Sequence, residues 1–331
     1  MEAQNKKRIA ITVGDMAGIG PEVVLKSLMT SEVSELCVPI VICDASALKK
    51  TSEVLGLPCD FPILTSDQEV PVAEVASIYD MANLDGTIEF GVQREDYGRA
   101  AGQFIEKAVE LCKKNFVDAI STAPLSKKSL ALGGYDFPGH TEMLASLTNT
   151  EKFAMSFFAG DLRVVLVSTH LPLKDAVDKI KRKPLADLIR FTSREVSKLI
   201  GREARIAVSG VNPHASENGM FGTEEATEMI PAISDCIADG IDVSGPHSAD
   251  TVFLRGFRGE FDAVIACYHD QATIAVKCLS FGAAVNVTLG LPLVRTSVDH
   301  GTAFDIAGKG VAEAESMKTA ILLAAKLTEG R

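Results

Sequence analysis

Three of the six histidines in this chain end short apolar runs, where their imidazoles could bind a metal ion. They are His170, His214 and His269. Ligands bind beyond the carboxyl ends of the strands in open parallel sheets, and neutral imidazole is a common ligand for borderline transition metals. For any one of these histidines a local hydrogen bond at a strand end is the better explanation. Three alike, with Asp250 and Asp270 nearby in the motifs, favour a metal site.

A second set of residues could bind an anion. Lys277 lies in an apolar helical stretch, Arg295 follows a Gly-Leu-Pro-Leu-Val segment, and Asn286 sits in the preceding strand. His140 and Thr141 follow Gly139 at what reads as a helix start with exposed N–H groups. Arginine binds phosphate or carboxylate in a bidentate manner, and helix N-termini attract anions. An alternative for Lys277 is that its ammonium group simply reaches past an apolar face to water.

The glycine-rich turn Gly14–Pro21 joins the first predicted strand to the first predicted helix. Its spacing is G-x-x-x-G-x-G, not the G-x-G-x-x-G of the dinucleotide fingerprint, and its proline removes an N–H that could face a phosphate. We therefore interpret it as a tight turn shaping one wall of a site. The sequence contains neither a phosphate-binding P-loop motif nor a G-x-S-x-G motif, so an NTPase or a serine hydrolase has no motif support.

Composition narrows the class of protein. The 331 residues, 47% of them hydrophobic, are ample for a large core and favour two lobes. The net charge of -11 argues against nucleic acid or anionic membranes as partners. Seven cysteines without a C-x-x-C pair indicate ordinary thiols in a reducing compartment. The apolar run of the segment Met1–Val13 is too short for a signal peptide or a membrane span. We expect a cytoplasmic protein.

Short β-branched runs alternate with longer amphipathic stretches, which predicts an α/β protein with a largely parallel sheet. Strands are predicted at 8–13, 38–43, 117–121, 153–158, 163–168, 205–211, 261–268 and 284–289. Helices are predicted at 21–29, 98–115, 185–200, 223–238, 271–279 and 311–327. No repeat or long flexible linker separates the lobes, so we expect them to be interleaved by crossing strands.

Ordered motifs over nearly the whole chain resemble the 4-hydroxythreonine-4-phosphate dehydrogenase family of vitamin B6 synthesis. The motifs are Gly14–Glu22, Pro138–Glu142, Ser168–His170, Asn212–His214, Gly245-Pro246 with Ala249–Thr251, Tyr268–Gln271 and the long stretch Asn286–Ala303. The resemblance implies an isopropylmalate-dehydrogenase-like fold, with residues 1–331 forming a single dehydrogenase unit of two interleaved lobes. It also implies a homodimer with a shared active site.

The resemblance assigns roles to the residues above. One divalent ion (Zn, Mg, Co or Mn) would bind His170 and His214 of one subunit and His269 of the other. His140 and Thr141 would bind a small anionic substrate, and Lys277, Asn286 and Arg295 would hold its charged end. NAD, or NADP in its place, would lie against the C-terminal motifs, with Asn286, Asp299 and Thr302 as its binding residues. Lys277, Asp250 and Asp270 are the candidate catalytic groups.

Departures from the family pattern bear on the substrate. Met16 stands where the family usually has proline, Ala272–Ala275 replaces a Gly-x-Ile-Pro sequence, and Ser216–Asn218 replaces glycine-rich sequence. His247-Ser248 replaces a more frequent Leu-Pro. The segment Ala303–Gly310 looks more like a second branch of the family, whose members act on four-carbon sugar-acid phosphates or on aromatic-acid cis-diols.

The expected reaction is metal- and NAD-dependent oxidation of a small hydroxy acid, with 4-hydroxy-L-threonine 4-phosphate as the first candidate and decarboxylation of the β-keto acid product. The second-branch alternatives are erythronate or threonate 4-phosphate and an aromatic cis-dihydrodiol carboxylate. Two other classes stay open. A metal-assisted acyl- or phosphoryl-transferase would use the anion-binding residues without consuming NAD. A non-catalytic metal-binding protein would need neither Arg295 nor Lys277.

Overall fold

The chain divides into two units, described here from a computed structural model. Unit 1 comprises Met1–Lys152 and Leu291–Glu329, and unit 2 comprises Phe153–Gly290. In chain order, unit 2 is thus an insertion within unit 1. The structure describes residues 6–66, 75–85, 88–280 and 284–329. The first five residues of the predicted N-terminal segment Met1–Val13 lie outside these ranges.

Twelve strands are present in the described ranges. In chain order they are β1 Lys7–Thr12, β2 Cys37–Cys43, β3 Ile63–Leu64, β4 Ser77–Asp80, β5 Ala119–Thr122, β6 Ala154–Ala159, β7 Leu162–Leu166, β8 Ile206–Ser209, β9 Val243–His247, β10 Ala263–Ala266, β11 Val285–Leu289 and β12 Val294–Ser297. Every strand predicted from the sequence overlaps one of these. The short strands β3, β4, β9 and β12 were not predicted.

The helices of the same ranges are α1 Gly20–Leu28, α2 Ser31–Leu36, α3 Ala45–Leu55, α4 Glu95–Lys113, α5 Lys127–Leu132, α6 His140–Leu147, α7 Leu173–Asp178, α8 Arg182–Ile200, α9 Ile230–Ala238, α10 Ala249–Phe257, α11 His269–Ser280 and α12 Glu315–Thr328. A 3-10 turn spans Pro213–Glu217, and a π turn, Glu225–Met229, precedes α9. No helix in the described part of the chain has the length and apolar character needed to cross a bilayer.

In unit 1 the strands lie in the order β3-β4-β2-β1-β5-β12, and all the pairings are parallel. The central strand β2 is buried along its whole length, with α4 and α2 packed against it, while α12 packs on β1, β5 and β12. The core of this unit includes Ile9 and Ile11 of β1 and Phe104 of α4, all fully buried.

In unit 2 the strand order is β11-β6-β7-β10-β8-β9. The pairings of β7, β10, β8 and β9 are parallel, whereas β6 pairs antiparallel with both β7 and β11. Only Gly160 and Asp161 join β6 to β7, and a parallel crossover needs a dozen or more residues. The predicted largely parallel sheet is confirmed, and β6, which is antiparallel to both of its neighbours, is the exception.

Two predicted helices begin later in the structure than the sequence indicates. The helix predicted at 223–238 opens as the π turn Glu225–Met229, because Pro231 has no N–H to continue the regular ladder. The helix predicted from Val311 begins only at Glu315. There the Ala312 carbonyl accepts from Lys26 Nζ and the Ala312 N–H donates to the Glu22 carboxylate, so the backbone of Ala312 is bonded to α1.

A buried carboxylate connects the segments that precede β8 and β10. Asp262 accepts hydrogen bonds from the guanidinium groups of Arg202 and Arg205 and from the backbone N–H of Arg205, at 2.7–3.2 Å. Burial by itself raises the pKa of Asp262, but these hydrogen bonds outweigh it and hold the pKa well below its usual range. The folded state is therefore stabilised by the ionised form of Asp262.

We expect Asp262→Asn to lower the free energy of unfolding by about 2 kcal/mol at pH 7, since hydrogen bonds to charged groups are worth roughly 1.5–3 kcal/mol and both arginines are half in water. Because the folded pKa is depressed, the contribution is complete above about pH 4 and is lost as pH falls through the folded value. Urea unfolding followed by circular dichroism should show the gap to wild type narrowing below pH 4. Asp239→Asn, at an exposed ion pair with Arg190, is the control. A gap unchanged down to pH 3 would contradict this account.

Candidate functional site

Three adjacent strands of unit 2 lead into the loops that carry the three predicted metal-binding histidines. Strands β7, β10 and β8 lie side by side and pair in parallel, so their carboxyl ends share one edge. His170 follows β7, His269 opens α11 just after β10, and His214 follows β8. The prediction that these histidines follow strand ends is confirmed, and the strand order makes their loops neighbours.

Two of the imidazoles lie together within one chain. The ring centroids of His170 and His269 are 5.4 Å apart, with the ring planes tilted by 39°. They line a half-open pocket of about 210 Å³, together with Tyr268 and Asp270. His269 Nδ1 lies 2.7 Å from Asp270 Oδ1. A carboxylate on one ring nitrogen directs the other nitrogen toward a metal, as in the carboxylate–histidine pairs of metal sites.

His214 stands on a strained turn. His214, Ala215, Ser216, Glu217 and Asn218 all have φ between 45° and 69°, the left-handed region. Each such residue that is not glycine costs on the order of 1 kcal/mol. Five consecutive strained residues persist only where the surroundings hold them, and strain of this kind clusters at functional sites.

The buried carboxylate of Glu225 holds the start of this turn. Glu225 Oε1 accepts from the N–H groups of Val211 and Asn212 at 2.9 and 2.8 Å, and its Oε2 accepts from Asn212 Nδ2 at 2.9 Å. Glu224 accepts a further hydrogen bond from Asn212 Nδ2 at 2.7 Å. The π turn that begins at Glu225 thus fixes the backbone immediately before His214.

Gln271 ties the ends of β8 and β10 together. Its Oε1 accepts from the N–H of Cys267 at 2.7 Å, and its Nε2 donates to the Gly210 carbonyl at 2.9 Å. The Cys267 thiol donates to the Ser209 carbonyl, and Ser168 Oγ donates to the Cys267 carbonyl. From the sequence, Gln271 belongs to a motif but has no predicted role, and Glu225 has no predicted role either. Only their hydrogen bonds identify them.

The donor set of this edge fits a borderline divalent ion, since it consists of imidazoles with one carboxylate behind them. Among the residues that the structure describes, no three His, Cys, Asp or Glu side chains are grouped closely enough to hold a metal. A single chain therefore brings together His170 and His269 but not the predicted set of three with His214.

The other predicted residues of unit 2 lie on elements around this edge. Asp250 is exposed in the first turn of α10, which packs against both the 3-10 turn carrying His214 and α11. Lys277 is exposed on α11, two turns beyond His269, and helical side chains lean toward the N-terminus. Asn286 is half-buried in β11, opposite Phe157 of β6.

Unit 1 carries the predicted anion-binding residues His140, Thr141 and Arg295. His140 and Thr141 open α6, while Arg295 lies in β12 and is only 3% exposed. Arg295 Nη2 donates to Thr122 Oγ1 at 2.8 Å, and this oxygen lies 2.9 Å from Ser297 Oγ. The guanidinium is thus attached to the carboxyl ends of β5 and β12 through buried hydroxyl groups.

Arg295 and His140 influence each other electrostatically. Burial lowers the pKa of Arg295 to about 9, opposed by the negative charge of Glu142, so the guanidinium stays cationic at neutral pH. Burial and then the charge of Arg295 hold the pKa of His140 well below its usual value. His140 is therefore neutral at pH 7, and its Nε2 is buried with no hydrogen-bond partner in the described part of the chain. A buried cation beside a neutral imidazole is suited to an anion.

The glycine-rich turn does not form a phosphate cradle. A Cβ on Gly14 or Gly20 would lie 2.0 Å from a backbone carbonyl oxygen, so both glycines permit close packing. The N–H groups of Ala17 and Gly18 donate to Asp15, and that of Ile19 donates to the Thr302 carbonyl. The interpretation of this segment as a tight structural turn is consistent with these contacts.

The predicted cofactor residues Asp299 and Thr302 follow β12 in the same unit. Ser316 Oγ donates to Asp299 Oδ1 at 3.2 Å, and Thr302 is half-buried against Gly18. A carboxylate beyond a strand end suits the ribose hydroxyls of a dinucleotide. The chemistry of these residues fits a nicotinamide cofactor at the C-terminal motifs.

Comparison with known proteins places this chain in the class of dehydrogenases. The family model for the pyridoxal phosphate biosynthetic protein PdxA matches residues 35–324. The D-threonate 4-phosphate dehydrogenase of Cupriavidus necator is 44% identical over 98% of this chain and 98% of its own. The 4-hydroxythreonine-4-phosphate dehydrogenase of Trichlorobacter lovleyi is 41% identical over 98% of this chain and 99% of its own.

A solved structure is similar throughout its length. The 4-hydroxythreonine-4-phosphate dehydrogenase of Burkholderia phymatum is 44% identical, with a TM-score of 0.85 over 98% of this chain and 99% of that one. This chain belongs to the PdxA family. The family resemblance, the α/β fold class with a largely parallel sheet and the assignment as an oxidoreductase are thereby confirmed.

The electrostatic coupling predicts how His140 titrates. In an NMR pH titration we expect its ring signals to stay those of neutral imidazole well below pH 6.5. Arg295→Met should raise the pKa of His140 only part of the way, because burial is the larger cause. Arg190→Gln, which removes a surface cation in unit 2, should leave it unchanged. A His140 pKa near 6.5 in the wild-type protein would refute the buried, Arg295-coupled site.

Proposed function

We propose that this protein catalyses the NAD-dependent oxidation of a four-carbon hydroxy acid that carries a 4-phosphate, followed by decarboxylation. The observation that carries this proposal is the buried cationic Arg295 beside the neutral His140. Because the chain has a net charge of -11, the protein as a whole does not attract anions, and this buried cation indicates a specific anion-binding site. His140, Thr141 and Arg295 would bind the phosphate, together with Lys277 and Asn286.

Within this class we favour D-threonate 4-phosphate over 4-hydroxy-L-threonine 4-phosphate, the first candidate from the sequence. The segment Ala303–Gly310 resembles the second branch of the family, and a relative named for D-threonate 4-phosphate is 44% identical over 98% of this chain. Besides their stereochemistry, the two acids differ at C2, where one carries a hydroxyl and the other an ammonium group. In both, oxidation of the hydroxyl β to the carboxylate gives a β-keto acid.

The proposed metal ligands are His170, His214 and His269, with Asp270 orienting His269. A divalent ion held there would supply Lewis acidity toward the substrate hydroxyl, and NAD would supply the hydride acceptor, with its orientation fixed by the protein. Lys277 and Asp250 are the proposed acid–base groups. One takes the hydroxyl proton, and the other returns a proton to the carbon that loses carbon dioxide.

The test is a spectrophotometric screen at 340 nm with NAD or NADP and a panel of acids. D-Threonate 4-phosphate should give the highest kcat/KM, with one carbon dioxide released per NADH formed. Its 4-hydroxy-L-threonine counterpart, erythronate 4-phosphate and a ring cis-diol carboxylate should be slower.

Prolonged chelation should abolish turnover and a divalent ion should restore it. Full activity in protein shown to be metal-free would mean that the reaction does not need a metal ion, contrary to the proposal. Acyl or phosphoryl transfer without NADH formation would place the protein in the transferase class.

A mixed-dimer experiment tests the proposed homodimer with a metal site shared between subunits. His170→Ala and His269→Ala should each be inactive. If His269 comes from the second subunit, each mixed dimer has one intact site, and equal amounts re-paired at random should recover roughly a quarter of wild-type activity. If His170 and His269 of one chain share a site, as their 5.4 Å separation allows, every site carries a defect and mixing restores nothing. Mass spectrometry of differently tagged chains must confirm that subunits have exchanged.

A further inference from the structure

The C-terminal segment of unit 1 between β12 and α12 lies along helix α1. At one end, the N–H of Ile19 donates to the Thr302 carbonyl at 3.0 Å. At the other end, Ser27 Oγ lies 3.4 Å from the Ala314 carbonyl oxygen that it donates to. We refer to residues 302–312 as the overlying segment. It begins three residues after Asp299 and includes Thr302, so it carries one of the two predicted cofactor-binding positions of unit 1 and lies next to the other.

A pair of charged residues on α1 fixes the far end of the overlying segment. Lys26 Nζ donates to Glu22 Oε1 at 2.7 Å, to the Gly310 carbonyl at 2.9 Å and to the Ala312 carbonyl at 2.8 Å. These three acceptors use all three protons of the ammonium group. Glu22 Oε1 also accepts from the N–H of Ala312 at 2.8 Å.

The Glu22–Lys26 pair differs from an ordinary surface ion pair, because it fixes the position of the overlying segment. Glu22 is 1% exposed and Ala312 is 4% exposed, so the contact lies inside the protein. A buried carboxylate without a cation is strongly unfavourable, and Lys26 supplies the compensating charge. An ordinary i,i+4 ion pair stabilises only its own helix by a few tenths of a kcal/mol. This one also makes three hydrogen bonds to a backbone 284 to 290 residues away in sequence.

We propose that Glu22 and Lys26 are positioning residues for the nicotinamide cofactor. They act through the overlying segment, which they hold in the conformation that binds NAD. This inference rests on the proposed function, because it requires NAD to bind against the C-terminal motifs. Neither residue touches the cofactor. If the segment is ordered only a tenth of the time when the pair is broken, the apparent Kd for the cofactor rises about tenfold.

The experiment compares Lys26→Gln with wild type by two readouts that need no turnover. Hydrogen exchange followed by mass spectrometry reports the protection of the overlying segment, and NADH fluorescence titration gives the cofactor Kd. We expect faster exchange at 302–312 and a Kd raised about tenfold. Lys26→Arg keeps the charge and several donors, so it should recover most of the affinity. Lys183→Gln removes an exposed i,i+4 pair with Asp187 in unit 2 and should change neither readout.

Each possible result either supports or contradicts the inference that Glu22 and Lys26 position the cofactor-binding segment. A loosened segment with an unchanged NADH Kd would show that the segment does not form the cofactor site, and unchanged exchange would show that the pair does not hold it. Either result overturns this inference while leaving the proposed dehydrogenase intact. A wild-type protein that binds neither NADH nor NADPH overturns the proposed function as well. If Lys26→Gln fails to fold, Glu22→Gln, which keeps the acceptor oxygen without the charge, is measured in the same way.

Discussion

Loops at the ends of the strands need hydrogen-bond partners for their backbone groups, and in this protein buried acidic and amide side chains supply them. Beyond the strand ladder each N–H and C=O must find another partner or lose free energy. Glu225 accepts from the loop before His214, Gln271 joins the ends of β8 and β10, and Glu22 accepts from Ala312. Asp44 caps α3 and accepts from Leu84 in the same way. The conformations of the candidate site loops depend on these contacts.

The two groups of candidate residues are held by different means. In unit 2 the histidines lie on loops and on the first residue of a helix, and His214 depends on five strained residues. In unit 1 Arg295 is part of a strand and is fixed through the buried hydroxyl of Thr122. A group on a strand has little freedom, whereas a strained turn can have a second arrangement close in free energy. The proposed anion-binding residues of unit 1 are therefore preorganised, while the proposed metal ligands of unit 2 are the part that a bound ion or a second subunit would complete.

The sequence alone predicted the features that depend on the local pattern of residues. Apolar β-branched runs located the strands, and the histidines that follow three of them were recognised as a group. It did not predict that β7, β10 and β8 are neighbours, since strand order depends on long-range packing. The left-handed turn at His214 carries no run of glycines to signal it, and Glu225 looks like any helical glutamate. The environment of Arg295 depends on residues distant from it in sequence: Thr122 accepts its hydrogen bond, and the charge of Glu142 opposes the effect of burial on its pKa.

The glycine-rich turn shows how a dehydrogenase can lack the dinucleotide fingerprint. In that fingerprint, glycines expose N–H groups at a helix start for the pyrophosphate. Here the corresponding N–H groups of Ala17, Gly18 and Ile19 already donate to Asp15 and Thr302. Asp44, which stands where a ribose-binding acid would, is 1% exposed and occupied as a helix cap. Because both sets of contacts are used within the protein, the start of α1 supports the C-terminal segment instead of a phosphate, which agrees with the proposal that the cofactor binds at the C-terminal motifs.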